Sequence, residues 1–328
     1  MRTVFGFHCS HEQHAPSALL KYARRAAEVG FTAAMCSDHF HPWSERQAHS
    51  GSAWSWLGAA LEATSLSFGT VCAPGQRYHP AVIAQAAATL CEMYPRRFWL
   101  AVGSGEALNE SITGSSWPPK RRRNARLQTC AEIMRALWAG ETVRVRGAAH
   151  SEARLYSRSA TPPMLLGAAL SPETAGWMGS WADGLIMAGS EIETLRRVSQ
   201  AFRDGGGAGK PLFLQVTLSF APTQEEAERA AYDQWRHCVL DSDQLSSIAS
   251  PEQFDRACEN AHRSAVLARV RASSEIQRHV DWLLEAAEVG LDRIYVHNVA
   301  RQYQHQFLDA CAAHLLPKSS SAVAQSFV

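Results

Sequence analysis

Short apolar runs alternate with longer amphipathic ones from one end of the chain to the other. Eight runs have the length and β-branched or aromatic content of strands: Val4–Cys9, Ala33–Ser37, Leu66–Cys72, Phe98–Gly103, Met164–Ala168, Gly184–Ala188, Leu212–Phe220 and Arg293–His297. Each is followed by a run with helical spacing: Ser17–Val29, Trp54–Thr64, Pro80–Tyr94, Arg123–Trp138, Pro172–Trp181, Glu191–Phe202, Ser274–Val289 and Gln304–Leu315. Gly30 stands at a C-cap, and Pro80 and Pro172 stand where a helix start has no use for an N–H. Two stretches break the alternation. The segment 141–161 reads as a β-rich insertion after the fourth unit. The polar, helical segment 223–271 reads as a second insertion after the seventh strand. Gly205-Gly206-Gly207 reads as a flexible turn.

Strand–helix units in unbroken alternation imply an α/β protein with a parallel sheet, and eight units close into a (β/α)8 TIM barrel. Ala26-Ala27-Glu28-Val29-Gly30-Phe31 recurs as Ala286-Ala287-Glu288-Val289-Gly290-Leu291, both ending a helix before a strand. An open doubly wound sheet would carry a glycine-rich turn after its first strand; this chain has Ser10-His11-Glu12-Gln13-His14 there. One barrel domain is expected over residues 1–317, with 318–328 as a loose tail.

The 32 Lys+Arg and 31 Asp+Glu leave a formal charge of +1, so no basic surface points to nucleic acid. No apolar run approaches a membrane span, and the first residues read as a strand rather than a leader, so a cytoplasmic chain is expected. The eight cysteines are scattered without a CxxC pair and read as buried, reduced thiols.

A barrel places its chemistry at the C-terminal ends of its strands. Two of those ends are rich in functional side chains. After the second strand come Asp38, His39, His41 and Trp43; after the fourth come Ser104, Gly105, Glu106 and Asn109. An imidazole beside a redox ring can relay a proton, an indole can pack on it, and a partly buried carboxylic acid can acquire a pKa suited to acid–base work. His39 and His41 at i and i+2 lack completing metal ligands, so no metal is expected. His41 reads as structural. Ser171 before Pro172 reads first as a helix cap.

Three segments carry a family resemblance: Ser37-Asp38-His39-Phe40-His41-Pro42-Trp43, Arg77-Tyr78-His79-Pro80-Ala81-Val82-Ile83-Ala84-Gln85 and Gly103-Ser104-Gly105-Glu106-Ala107-Leu108-Asn109-Glu110. In order and spacing the chain resembles the luciferase-like flavin-dependent oxidoreductases, in the branch close to deazaflavin (F420)-dependent glucose-6-phosphate dehydrogenase. The resemblance implies catalytic His39, Trp43 and Glu106. It implies a cofactor cradle of Asp38, Thr70, Val71, Cys72, Ala73, Ser104, Gly105, Asn109, Ala168, Ala169, Leu170, Ser171 and Gly189, with a non-proline cis peptide between Thr70 and Val71. Leu170-Ser171 stand where that branch has Gly-Gly near the cofactor phosphate. Ala188-Gly189-Ser190-Glu191 offers an acid where the dehydrogenase uses a lysine on its sugar phosphate. These departures point away from glucose 6-phosphate and toward FMN, for hydride transfer or two-component monooxygenation of a small organic substrate. An F420-dependent dehydrogenase is the alternative, and a non-catalytic flavin-binding protein a third. A homodimer is expected, and a flavin reductase as partner if the chemistry is monooxygenation.

Overall fold

The computed structural model describes residues 3–144 and 152–319. Its centre is a closed barrel of eight parallel strands: β1 (Val4–Cys9), β2 (Ala33–Ser37), β3 (Ser67–Cys72), β4 (Phe98–Val102), β5 (Met164–Ala168), β6 (Gly184–Ala188), β7 (Leu212–Phe220) and β8 (Arg293–Asn298). Successive strands pair in parallel, and β8 pairs with β1 to close the ring. The helices between them cover the outside. Pro16–Glu28, Pro80–Met93 and Pro172–Gly179 each begin on a proline, whose fixed φ suits the first helical turn.

Side chains alternate across each strand. Phe5, Phe7 and Cys9 of β1, with Phe68 and Cys72 of β3, join the layer between barrel and helices. The opposite set fills the barrel: Ala33, Met35, Trp99, Ala101, Leu166, Ile186, Phe213 and Tyr295, with Val71 and Ala168 packed against them. The Trp99 indole donates to the Tyr295 hydroxyl at 3.0 Å, so this buried polar pair is satisfied. Gly69 is required by this arrangement, because a Cβ there would lie inside the Trp99 ring. The apolar plug seals the barrel below its C-terminal rim and leaves the polar residues of that rim as the floor of an open mouth.

Several expectations need correction. Every peptide bond among the described residues is trans, including Thr70–Val71. That bond sits in regular ladder, with Thr70 beside Cys36 and Leu100 and its hydroxyl donating to the Cys36 carbonyl at 3.1 Å. The triple glycine is a turn with a packing role: the helix Ile192–Phe202 runs on into Arg203–Gly207, which breaks at Gly206 with a left-handed φ of 103°, and Gly205 lets the segment press on the Gly176 carbonyl, where any Cβ would clash. Strand β4 ends at Val102, and an unforeseen short helix, Ala107–Glu110, fills the loop after it. A last helical turn, Leu316–Ser319, spans the expected boundary at 317, and 320–328 of the expected tail lie outside the described residues.

Both insertions are present. The first contains an antiparallel pair, Val143–Arg144 with Glu152–Ala153; 145–151 lie outside the described residues. The second holds the helices Gln224–Gln234, Ser242–Ser247, Pro251–Ala257 and Arg263–Leu267, and a short strand Arg271–Ser273 that extends the sheet beside Leu218–Phe220. Seven of the eight cysteines are buried and all eight are free thiols. No described helix is long and apolar enough to cross a membrane.

Candidate active site

The loop after β2 is anchored by a buried cation. Arg77 donates to the Asp38 carbonyl at 2.7 Å and to its carboxylate at 3.1 Å, and its Nε lies 3.5 Å from Glu110. The Arg77 amide also donates to Glu110 at 2.6 Å. The three side chains are at most 7 % exposed. Burial raises the pKa of both carboxyls above the ordinary range, and Arg77 pulls each back. The three sequence segments therefore form one structural unit: Arg77 bridges Glu110 and Asp38 and fixes the backbone of Asp38, which precedes His39.

His39 stands between two carboxylates. Its Nδ1 lies 3.5 Å from Glu12 and its Nε2 3.8 Å from Glu106. The two acids have opposite environments. Burial works to raise the pKa of Glu12, but His39, the Ser37 hydroxyl at 2.6 Å and His8 outweigh it and hold the group at about 2. Ser10 adds a second hydroxyl at 2.8 Å. For Glu106 burial wins: its pKa is pushed up to about 6, His39 opposing and Glu12 adding to the rise. A third of the Glu106 side chain still reaches solvent. Asn109 steadies it at 3.4 Å while its own oxygen accepts the Phe40 amide at 2.8 Å and the His41 amide at 3.3 Å, so the loops after β2 and β4 are tied together. The His41 ring pairs through Nδ1 with the Leu108 carbonyl at 2.8 Å, a structural use.

Trp43 leans on His39, ring centres 5.0 Å apart, and stacks on His237 of the second insertion at 4.9 Å and 8°. Phe254 meets its edge at 5.2 Å. A glutamine chain holds it there. The Trp43 amide donates to Gln47, Gln47 donates to the Gln234 carbonyl, and Gln13 donates to the Gln234 side chain, at 2.9, 3.0 and 2.9 Å. The Gln13 oxygen lies 2.7 Å from His297 Nε2. Gln13 uses its amide hydrogens on Gln234 and Val299, so the His297 proton sits on Nε2. Sequence reasoning missed Glu12, Gln13, His237 and Gln234. For the first two the signal was position alone, just beyond the end of β1 and so at the mouth.

The proposed cradle residues separate into groups. Val71 and Ala168 top the apolar plug inside the barrel. Thr70 and Cys72 are buried with their side chains turned to the helix layer. Ala73 and Gly105 face each other across the rim, and Ser104 beside them is partly exposed. Ala169 is buried, with its amide on the Ile186 carbonyl at 3.1 Å. Ser171 caps the following helix by accepting the Thr174 amide at 3.3 Å. Leu170 is 56 % exposed, and Gly189 is open to solvent. A flat heteroaromatic ring fits this mouth. Val71 and Ala168 offer it an apolar bed, and Gly105 keeps clear the space beside Ala73 that a Cβ would fill, 3.1 Å from the Ala73 methyl. No three His, Cys, Asp or Glu among those residues form a metal-holding group.

The comparisons with known proteins agree with this architecture. Residues 3–300 match the family model for luciferase-like monooxygenase. Two relatives named F420-dependent glucose-6-phosphate dehydrogenase, from Beutenbergia cavernae and Nakamurella multipartita, are each 33 % identical; the matches cover 95 % and 98 % of this chain and 96 % and 98 % of theirs. An F420-dependent secondary alcohol dehydrogenase, solved with an F420-acetone adduct, superposes with a TM-score of 0.87 at 26 % identity, over 98 % of this chain and 100 % of that one. The chain is an oxidoreductase and belongs to the luciferase-like monooxygenase family.

Proposed function

We propose that this protein is an F420-dependent dehydrogenase that oxidises an organic hydroxyl compound. The observation that carries the reading is His39 between a fixed anion and a proton-bearing acid, Glu12 and Glu106. The F420 names of its full-length relatives support it over the flavin reading that Leu170-Ser171 suggests.

The bound deazaflavin supplies the acceptor for a hydride; the chain supplies proton handling. A substrate hydroxyl against His39 Nε2 gives its proton to the imidazole as its carbon loses hydride and becomes a carbonyl. Glu12, ionised at every pH above about 2, faces the resulting imidazolium across 3.5 Å and stabilises it. Glu106 holds a proton at its carboxyl below about pH 6 and is placed to give it to the bound ligand. Trp43, braced by Gln47 and His237, closes one side and excludes water from His39.

A second reading, FMN in the same mouth, draws on the exposed Leu170 and the Ser171 cap, at the two positions where the branch this chain resembles has Gly-Gly. Titration of the purified protein with F420 and with FMN decides between them. Tighter F420 binding is expected. Tighter FMN binding favours the second reading, and binding of neither ends both.

A further inference from the structure

Six rings form a continuous wall on the Glu12 side of the mouth. From His39 the contacts run to Trp43 at 5.0 Å, His237 at 4.9 Å, Trp235 at 4.6 Å, His297 at 4.8 Å and His8 at 4.7 Å. The wall draws on β1, the loop after β2, the second insertion and β8. His8, His237 and His297 are 4 %, 6 % and 2 % exposed. Neither nitrogen of His8 has a hydrogen-bond partner among the described residues, nor has Nδ1 of His237 or of His297. Unpartnered buried polar atoms destabilise a fold, and gathering them in one surface of a mouth makes sense where a ligand satisfies them.

The three buried histidines of the wall, His8, His237 and His297, are uncharged at neutral pH. Burial lowers the pKa of His8 to about 4 and of His237 to about 3, and that of His297 falls well below the ordinary value, although the Glu12 charge raises all three. A neutral imidazole offers one donor and one acceptor, and His297, protonated on Nε2, presents Nδ1 as an acceptor. The formal charge that reaches all three rings is the anion of Glu12. Of the neighbouring guanidinium groups, Arg77 is paired with the carboxylates of Asp38 and Glu110, while Arg236 and Arg301 are turned to the carbonyls of Tyr232, Arg46 and Gln47, and none is among the main charges acting on the three rings.

We infer that this wall is the substrate-binding surface, and that it takes an uncharged hydroxyl or carbonyl compound with an apolar body rather than a phosphorylated one. The inference rests on the dehydrogenase reading above. The indole faces of Trp43 and Trp235 cover the apolar body, and the imidazole nitrogens meet its oxygen. A phosphate dianion would lose its hydration against neutral rings and face Glu12 without a cation.

The test uses the full chain loaded with F420, after a fluorescence titration has established that F420 binds; failure at that step counts against the dehydrogenase reading, not against the wall. Ligand-detected NMR then probes the loaded protein with cyclohexanol, cyclohexanone, 2-hexanol and glucose 6-phosphate. At least one uncharged probe is expected to bind, and glucose 6-phosphate is not. His8→Phe and His237→Phe should each weaken the bound probe roughly tenfold, the loss of one hydrogen bond. Both should melt at or above the wild-type temperature, because each removes an unpartnered buried nitrogen; a purely structural role would lower it. If a phenylalanine variant fails to fold, His8→Gln and His237→Gln replace it, and they should hold most of the affinity. Saturable glucose 6-phosphate binding, no binding by any uncharged probe, or affinity indifferent to both histidines overturns the inference. So does a loss confined to F420 itself, which would assign the wall to the cofactor.

Discussion

Replacing Arg77 with methionine keeps much of the side-chain length and removes the cation between Asp38 and Glu110. Those carboxylates are 4 % and 1 % exposed, and neither can turn to water without moving its loop. Breaking a buried pair by deleting one partner costs about 3–5 kcal/mol, because the remaining charge is stranded. For a chain of this size that is a drop in melting temperature on the order of 10 °C. The loss should depend on pH with a definite sign. Both acids already have folded pKa values above their ordinary 3.8 and 4.5, and without Arg77 they rise further. As pH climbs past the ordinary carboxylate range, the unfolded chain releases protons that the folded variant retains, so the variant loses stability relative to wild type. Below about pH 4 both states hold those protons and the electrostatic part of the difference closes. Thermal melts of the two proteins between pH 4.5 and 8 measure this. Arg77→Lys should recover part of the loss, since it restores the charge but not the fork that reaches the Asp38 carbonyl. A methionine variant within about 1 kcal/mol of wild type at pH 8 would refute the claim that Arg77 anchors the His39 loop.

In Glu106→Gln, turnover of any substrate found for the F420-loaded protein should fall by roughly 10²–10³-fold. The wild-type rate should decline as pH rises through about 6, where Glu106 loses its proton; a decline retained in the variant assigns the limb to another group. Glu12→Gln should destabilise the protein at pH 7 by about 3 kcal/mol, the worth of a pKa held near 2 instead of 4.5. This is a depressed acid, so its contribution is complete above about 4.5 and fades as pH falls toward about 2; roughly three quarters of the difference should remain at pH 4 and less than half at pH 3, and a difference that stays constant between pH 7 and 3 contradicts the assignment. Gly69→Ala drives a methyl into the Trp99 indole and should cost about 3 kcal/mol or prevent folding, with near-wild-type melting as the refuting result.

The barrel was legible because its determinants are local. Eight runs such as Ala33–Ser37 and Met164–Ala168 are short, apolar and bounded by turn residues, and the strand ends then place His39 and Glu106 at one rim. The rest depends on convergence that no window of sequence contains. Gln13 meets Gln234 across 221 positions and His297 across 284, while Ser44 meets Asp255 across 211. His237 lies in a one-turn helix within a polar insertion, where nothing in its neighbourhood marks it as the residue that stacks on Trp43. The packing role of the triple glycine was not legible, because glycine serves turns and close packing equally well, and only the Gly176 carbonyl reveals the second use.

The chemistry of the site turns on a difference between two glutamates that composition cannot express. Glu12 is withdrawn from water and Glu106 is so for about two thirds of its side chain, and burial alone would push both upward. With two such acids, His39 would stand between groups that titrate together, and neither would have a fixed charge. Two hydroxyls and the imidazoles break the symmetry at Glu12. Ser37 and Ser10 donate to the same oxygen at 2.6 and 2.8 Å, which stabilises the anion without adding a cation that would compete for it. Glu106 receives one long contact from Asn109 and stays near 6. Ser37 is the last residue of β2, and Glu12 follows β1, so the parallel pairing of those strands, Cys9 beside Cys36, brings the hydroxyl to the carboxylate. The register of two adjacent strands thus determines which acid stays an anion and which holds a transferable proton.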